Sequence, residues 1–148
     1  MKITKGLSRL SLHDSYFEHF VRKGNNITVT FDWAFLDTAA ELGINESIVL
    51  DRTTISFFGV SFEEFRAENL DHSWSDLDLE ESIEIWDILA WSKTDDLNSI
   101  FTLGGLLDTL REGFLPWVEW KLKFESFSLE WDKHITHLDW LSGKLPNE

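Results

Sequence analysis

The chain of 148 residues has no cysteine, one methionine, one tyrosine and two prolines. Without cysteine it forms no disulfide bond and offers no thiolate to a metal ion, which excludes disulfide scaffolds and cysteine-ligated zinc sites. No run of 18 or more apolar residues is present, so the sequence predicts no membrane-spanning helix. Its first residues, MKITKGLSRLSLHD, are basic but are not followed by an apolar run. We therefore expect no secretory signal and a cytoplasmic location.

Basic residues are also scarce. The chain has 13 Lys and Arg against 27 Asp and Glu, a net charge of −14, and the segment from Ser61 to Asp96 holds twelve acids and two bases. A field of that sign repels phosphate backbones and anionic lipid, so we expect neither nucleic acid nor a membrane as a partner. It attracts basic proteins and speeds their encounter. The alternative is a solvated acidic face that only maintains solubility.

Aromatic residues are abundant, with 8 Trp and 12 Phe. In the stretch SYFEHFVRKGNNITVTFDW, Ile27, Val29 and Phe31 alternate with polar residues, which predicts a half-buried strand. The Gly and Asn residues before it tolerate the positive φ of a tight turn. The stretch therefore predicts a β-hairpin. The segment SIVLDRTTISFFGV predicts two further strands or one long bent strand, and SIEIWDILAWSK predicts a central strand, because both of its faces are apolar.

The stretch WKLKFESFSLEW changes phase, because apolar residues alternate up to Phe124 and then resume at Phe127. Either a β-bulge at Glu125–Ser126 restores the register or the strand bends to serve two packing surfaces. We favour the bulge, because no Gly, Pro or Asn is present to make a turn. Trp120 and Trp131 are then core residues, and Trp117 lies at an edge.

Helical signals are few. Thr38 and Glu41 fit a capping box that Gly43 would close, and leucine spacing predicts a helix from Gly104 or Gly105 to Glu112. The segment SFEEFRAE is ambiguous between helix and strand, and the polar residues 69–81 predict a loop. We expect a single α+β domain over residues 1–148, dominated by an antiparallel sheet with one or two short helices and a frayed tail at about 142–148.

Three clusters resemble catalytic or metal-binding sites but do not meet their requirements. His134, His137 and Asp139 give only half of a metal site, and the run of Asp76, Asp78 and Glu80 lacks the glycine and the bidentate glutamate of a calcium loop. The adjacent residues His13, Asp14 and Ser15 point in different directions and do not form a triad. The sequence therefore predicts no catalytic residue, no metal and no cofactor.

The stretch LHDS, followed by an aromatic strand, a Gly-Asn turn and ITVTFDW, resembles the opening of a loose group of small bacterial proteins. Some members are assigned as immunity proteins of polymorphic or contact-dependent toxin systems. ISFFGV and WKLKFESFSLEW are similar to later strands of that group, whereas the region from Phe62 to Ile100 departs from it. The resemblance implies a non-catalytic inhibitor of one toxin domain, and it identifies no binding residue.

Charge and resemblance together predict an acidic binding protein that neutralises a basic toxin, such as a nuclease, by covering its cationic site. The predicted contact residues are one tryptophan, as the aromatic anchor, and five carboxylates: Asp71, Trp74, Asp76, Asp78, Glu80 and Glu81. Alternatively, Trp74 folds back to cap the sheet. Two other functions stay open. One is a carbohydrate-binding module, which needs two or three tryptophans on one exposed face, whereas the alternation sends most of them inward. The other is an enzyme that uses Asp or Glu with His134 or His137.

Overall fold

The computed structural model of the chain describes residues 1–83, 86–107 and 116–148. In chain order its strands are β1 (Lys2–Ile3), β2 (Leu10–Ser11), β3 (Phe17–Lys23), β4 (Asn26–Phe31), β5 (Ala34–Leu36), β6 (Ile48–Leu50), β7 (Thr53–Phe58), β8 (Phe62–Glu68), β9 (Trp74–Asp76), β10 (Trp86–Asp95), β11 (Ile100–Leu107), β12 (Trp117–Lys123), β13 (Ser126–Trp131) and β14 (His134–Thr136). The α-helices are α1 (Leu79–Ser82) and α2 (His137–Leu141), and Leu7–Arg9 and Ala40–Leu42 form 3-10 turns. The prediction of a mostly antiparallel β fold with short helices is confirmed.

The strands form three antiparallel sheets. The first sheet has the order β1-β13-β7-β4-β3, the second β10-β11-β12-β8-β9 and the third β14-β6-β5-β2. No helix in the described ranges is long and apolar enough to cross a membrane.

Aromatic side chains fill the space between the first and second sheets. Phe57 of β7 packs 5.1 Å from Phe101 of β11 and 6.5 Å from Trp120 of β12, measured between ring centroids. Trp120 is fully buried, and Phe17 of β3 also contacts its ring at 6.4 Å. Large rigid rings therefore form the centre of a two-sheet sandwich, whereas the sequence predicted one dominant sheet.

Three strands of the first sheet bend and run on into the third sheet, which is therefore a continuation of the first. Strands β4, β7 and β13 of the first sheet are joined in sequence to β5, β6 and β14 of the third through short links that begin at Asp32, Asp51 and Asp132. At one link Asp32 Oδ1 accepts hydrogen bonds from the backbone N–H groups of Tyr16 and Trp33, both at 2.9 Å. Because a carboxylate can satisfy backbone donors that leave the strand ladder, it allows the chain to bend there.

The hairpin prediction is confirmed by β3 and β4, in which Ile27, Val29 and Phe31 are fully buried. The segment SIVLDRTTISFFGV forms two strands, β6 and β7, and the ambiguous SFEEFRAE is strand β8. Gly43 ends the first turn after β5 with a φ of 76°, as expected. The capping box was wrong, because no side chain caps this turn and Glu41 instead pairs with Arg9.

Three predictions about longer elements were also wrong. The segment SIEIWDILAWSK was predicted to be a central strand, but its strand β10 is the outermost strand of the second sheet. The bulge at Glu125–Ser126 is absent, because the chain leaves the second sheet after β12 and enters the first sheet as β13. The phase change therefore reflects one stretch that serves two sheets, so that Phe124 and Phe127 both face the interior. The helix predicted from Gly104 is strand β11 up to Leu107, because cross-strand pairing with β10 and β12 overrides the leucine spacing. The rest of that predicted helix lies outside the described residues.

Candidate functional site

The predicted contact residues lie together at the β9 end of the second sheet. Every residue from Asp71 to Asp78 is exposed, as are Glu80 and Glu81. This segment was predicted to be a loop, but it contains strand β9 and helix α1. We call residues 71–81 the acidic edge, because β9 is the last strand of its sheet.

A tight connection holds β9 against β8. The backbone N–H of Asn69 donates to the carbonyl of Ser73 at 2.7 Å, and the Asn69 side chain donates to Ser75 Oγ at 2.8 Å. Asp71 Oδ1 accepts hydrogen bonds from the hydroxyl of Ser73 at 2.5 Å and from its N–H at 3.0 Å. These bonds, the hydroxyl first, lower the pKa of Asp71 and keep its carboxylate charged.

Trp74 lies on the outer face of the second sheet, which points away from the sandwich interior. Its side chain is 37% exposed, and the Arg66 guanidinium lies 5.0 Å from the centroid of its ring. Arg66 Nε also lies 2.9 Å from Glu64 Oε1 in an ion pair. The contact with Arg66 orients the indole beside the carboxylates and leaves part of its surface open to solvent.

Helix α1 fixes the far end of the acidic edge. Asp78 is its N-cap residue and accepts a hydrogen bond from the backbone N–H of Glu81 at 3.2 Å. Leu79 is only 4% exposed and anchors the turn in the core. The helix therefore keeps Asp78 and Glu81 in place although both side chains face solvent.

Glu80 differs from the other five predicted residues. Arg22 of β3 binds Glu63 through two nitrogens, at 2.7 and 2.9 Å, and binds Glu80 through Nε. The pKa of Arg22 is raised by these pairs, above all by Glu63. The negative charge of Glu80 is therefore offset within the protein, and Glu80 also lines a cleft of about 400 Å³ floored by the rings of Phe17, Phe20 and Trp86.

The other carboxylates of the acidic edge keep their charge available. Asp71, Asp76, Asp78 and Glu81 form no ion pair with Lys or Arg in the described part of the chain. Their remaining hydrogen bonds come from neutral backbone or hydroxyl groups, which leave the charge intact. Four uncompensated carboxylates thus lie on the same exposed segment as Trp74.

Two more tryptophans lie on the same outer face. Trp91 of β10 and Trp117 of β12 are half-buried and stack with their ring centroids 6.4 Å apart and their planes 25° apart. Both rings cover Gly104, where an added Cβ would lie 2.5 Å from Trp91 and 2.9 Å from Trp117. The expectation that most tryptophans are interior was wrong, because only Trp86, Trp120 and Trp131 are buried.

The sequence did not predict this pair because it depends on β11 pairing with both β10 and β12, whereas the leucine spacing of β11 predicted a helix. β11 pairs Gly104 with Trp91 on one side and Leu106 with Trp117 on the other. The only available signal for the pair was Gly104 in a chain with many tryptophans, since aromatic rings often cover a glycine on a neighbouring strand.

The histidines near the C-terminus make aromatic and hydrogen-bond contacts. His134 Nδ1 accepts a hydrogen bond from Trp131 Nε1 at 3.0 Å, and burial lowers its pKa. The His137 ring lies edge-on to Phe35 at 4.7 Å and stacks on Trp140 at 6.0 Å. Within residues 1–83, 86–107 and 116–148, no three His, Asp or Glu side chains come together as a metal site would require.

Comparison of the chain with protein-family models, curated proteins and solved structures finds no match to any of them. The function is therefore inferred from the chemistry of the acidic edge and of the outer face beside it.

Proposed function

We propose that this protein binds a basic protein through the acidic edge, and that it acts as an immunity protein that covers the cationic site of a toxin such as a nuclease. One observation carries the proposal: Asp71, Asp76, Asp78 and Glu81, which form no ion pair with Lys or Arg in the described residues, share one segment with the exposed Trp74. Interface energy concentrates in a few anchors of this aromatic type, and surrounding charges steer the encounter.

Charge placement supports a binding role better than a role in solubility alone. Solubility requires only dispersed net charge, whereas Arg22, Arg66 and Glu64 next to the acidic edge are organised into ion pairs and the carboxylates of the edge, apart from Glu80, are not. The anion-rich surface resembles a phosphate backbone in sign, so it complements the surface that a nuclease presents to its substrate.

The test is capture from a lysate of the producing organism at low salt, with elution by raised salt and identification of the bound proteins. Two variants with equal net charge are compared. One carries Asp71→Asn, Asp76→Asn, Asp78→Asn and Glu81→Gln, and the other carries Glu46→Gln, Glu125→Gln, Asp132→Asn and Glu148→Gln. We expect the second variant and the unmodified protein to retain a basic protein whose activity is abolished in the complex, and the first variant to lose it. The proposal is contradicted if both variants retain the basic protein equally, or if the captured protein keeps its activity in the complex.

A second candidate function is carbohydrate binding, and the stacked pair of Trp91 and Trp117 favours it. Tryptophan faces stack on sugar rings, and charged side chains of neighbouring strands, such as Glu119 and Arg66, offer hydrogen bonds. Trp74 lies on the same face, two strands from Trp117, or roughly 10 Å at the usual strand spacing. Titration with a panel of neutral and amino sugars, followed by tryptophan fluorescence, tests this function. A response that Trp91→Ala removes supports it, and unchanged fluorescence across the panel rules it out.

A further inference from the structure

The backbone of β9 has a free side whose hydrogen-bonding groups can be assigned. The N–H of Asn69 donates to the carbonyl of Ser73, and the N–H of Leu77 donates to the carbonyl of Phe65 at 2.9 Å. In an antiparallel pair, every second residue directs both its N–H and its C=O toward the partner strand. On β9, Ser75 therefore faces β8.

Trp74 and Asp76 consequently direct their N–H and C=O groups away from β8. β9 is the last strand in its sheet, and these four groups have no hydrogen-bond partner in the described residues. Both residues are exposed, so a second chain has access to the groups.

We propose that β9 accepts an extended basic segment of a partner protein as an additional strand of the second sheet. This inference rests on the proposed function and specifies how the partner binds. Strand addition satisfies the free groups of Trp74 and Asp76 with main-chain hydrogen bonds, and side chains at alternate positions then supply the specificity.

The outer face determines which side chains the added strand must carry. Trp74 and Asp76 both point to that face, opposite Glu68 and Arg66 of β8. A neighbouring strand places two side chains beside them, separated by one residue, because alternate residues share a face. The residue beside Asp76 is Lys or Arg, and the residue beside Trp74 is apolar or aromatic. The recognised pattern is therefore a basic and an apolar residue two positions apart.

Charge also selects against a second copy of this chain. Two β9 strands side by side would bring their acidic residues together, and like charges across a strand pair are destabilising. Charged edges of this kind protect natural sheets against self-association, and the same charges leave the edge open to a cationic strand.

The experiment uses the full chain and a synthetic lysine–valine peptide in which lysine and valine stand two positions apart, with threonine between them, so that both lie on the same face. Asp76→Ala removes the carboxylate alone, and Asp76→Pro removes the carboxylate together with the outward N–H. Proline is tolerated at an edge position whose N–H faces solvent, so Asp76→Pro leaves the fold intact. Ser75→Pro is the contrasting change, because it removes an N–H that β8 uses, and we expect it to lower the melting temperature.

We expect Asp76→Pro to weaken peptide binding about 2- to 10-fold more than Asp76→Ala does, which corresponds to the net effect of one hydrogen bond. Hydrogen exchange at the amides of Trp74 and Asp76 slows when the peptide binds. We expect a peptide whose β9-facing N–H groups are methylated to bind more weakly than the same peptide without the methyl groups.

Equal binding by Asp76→Pro and Asp76→Ala, with equal binding of the N-methylated peptide, overturns strand addition. In that case the proposed function still stands if neutralising the acidic edge weakens the captured complex. A dimer of the protein that Asp76→Pro dissociates would also overturn the inference, because the occupant of the edge would then be a second copy.

Discussion

Replacing Gly104 by alanine tests the packing of the outer face directly. The added methyl group would lie 2.5 Å from Cε2 and Nε1 of Trp91 and 2.9 Å from Cζ2 of Trp117. Favourable carbon contacts lie at about 3.5–4.0 Å, so the Trp91 ring must move by roughly 1 Å or more. Because the whole ring is rigid, this displacement disrupts its stacking on Trp117.

The cost of such overpacking is about 1–3 kcal/mol in the free energy of unfolding. For a chain of this size, that corresponds to a fall in melting temperature of roughly 2–12 °C. Alanine is otherwise preferred to glycine in a strand, so a loss of stability at this position can be attributed to the contact with the rings.

The assay is denaturant unfolding of Gly104→Ala, Trp91→Ala and the double variant, together with far-ultraviolet circular dichroism for the coupling between the two indoles. We expect Gly104→Ala to weaken that coupling and to cost less stability when Trp91 is already alanine, since the methyl group then has room. Strictly additive losses, or an unchanged stacking signal in Gly104→Ala, would refute the close approach of the rings to the glycine.

Three further predictions concern the core and the ion pairs. Trp120→Ala leaves a cavity between the two main sheets and lowers the free energy of unfolding by about 3–5 kcal/mol, measured by urea denaturation; a loss below about 1 kcal/mol contradicts its central position. Hydrogen bonds from Arg9 lower the pKa of Glu41 to about 2. Arg9→Met removes these bonds, so the free energy of unfolding that the variant loses at pH 7 should become smaller as the pH falls from about 4.5 toward 2. A loss that does not depend on pH contradicts this pairing. Arg22→Gln releases the carboxylates of Glu63 and Glu80, so binding of a basic peptide should strengthen by about 2- to 5-fold in calorimetric titration at low salt, and weaker binding would show that Arg22 itself supports the site.

Local patterns in the sequence predicted elements whose partners are close in the chain. The β3–β4 hairpin, the buried positions of β12 and the left-handed Gly43 all follow from alternation or from turn chemistry. Elements whose apparent periodicity conflicts with their strand pairing were missed. β11 has the leucine spacing of a helix, but its pairing with β10 and β12 makes it a strand.

The candidate site shows the same division between local and long-range information. The concentration of acids around Asp76 was visible in the sequence, whereas the sequence left open whether Trp74 is exposed or folds back on the sheet. The pairing of Glu80 with Arg22 was not visible, because 58 positions separate the two residues. The Trp91–Trp117 stack was missed because it requires β10, β11 and β12 to lie side by side, whereas β11 was predicted to be a helix.

In the proposed function, the position of the acidic edge, rather than the total charge, is what we expect to make this protein bind basic partners. Calorimetric titration with the lysine–valine peptide at about 0.05 M salt compares the two fourfold-neutralised variants described above, which have equal net charge. We predict that neutralising Asp71, Asp76, Asp78 and Glu81 weakens binding about tenfold or more, whereas the other variant stays within about threefold of the unmodified protein. Equal weakening in both variants would contradict the proposed role of the acidic edge, because binding would then depend on net charge alone.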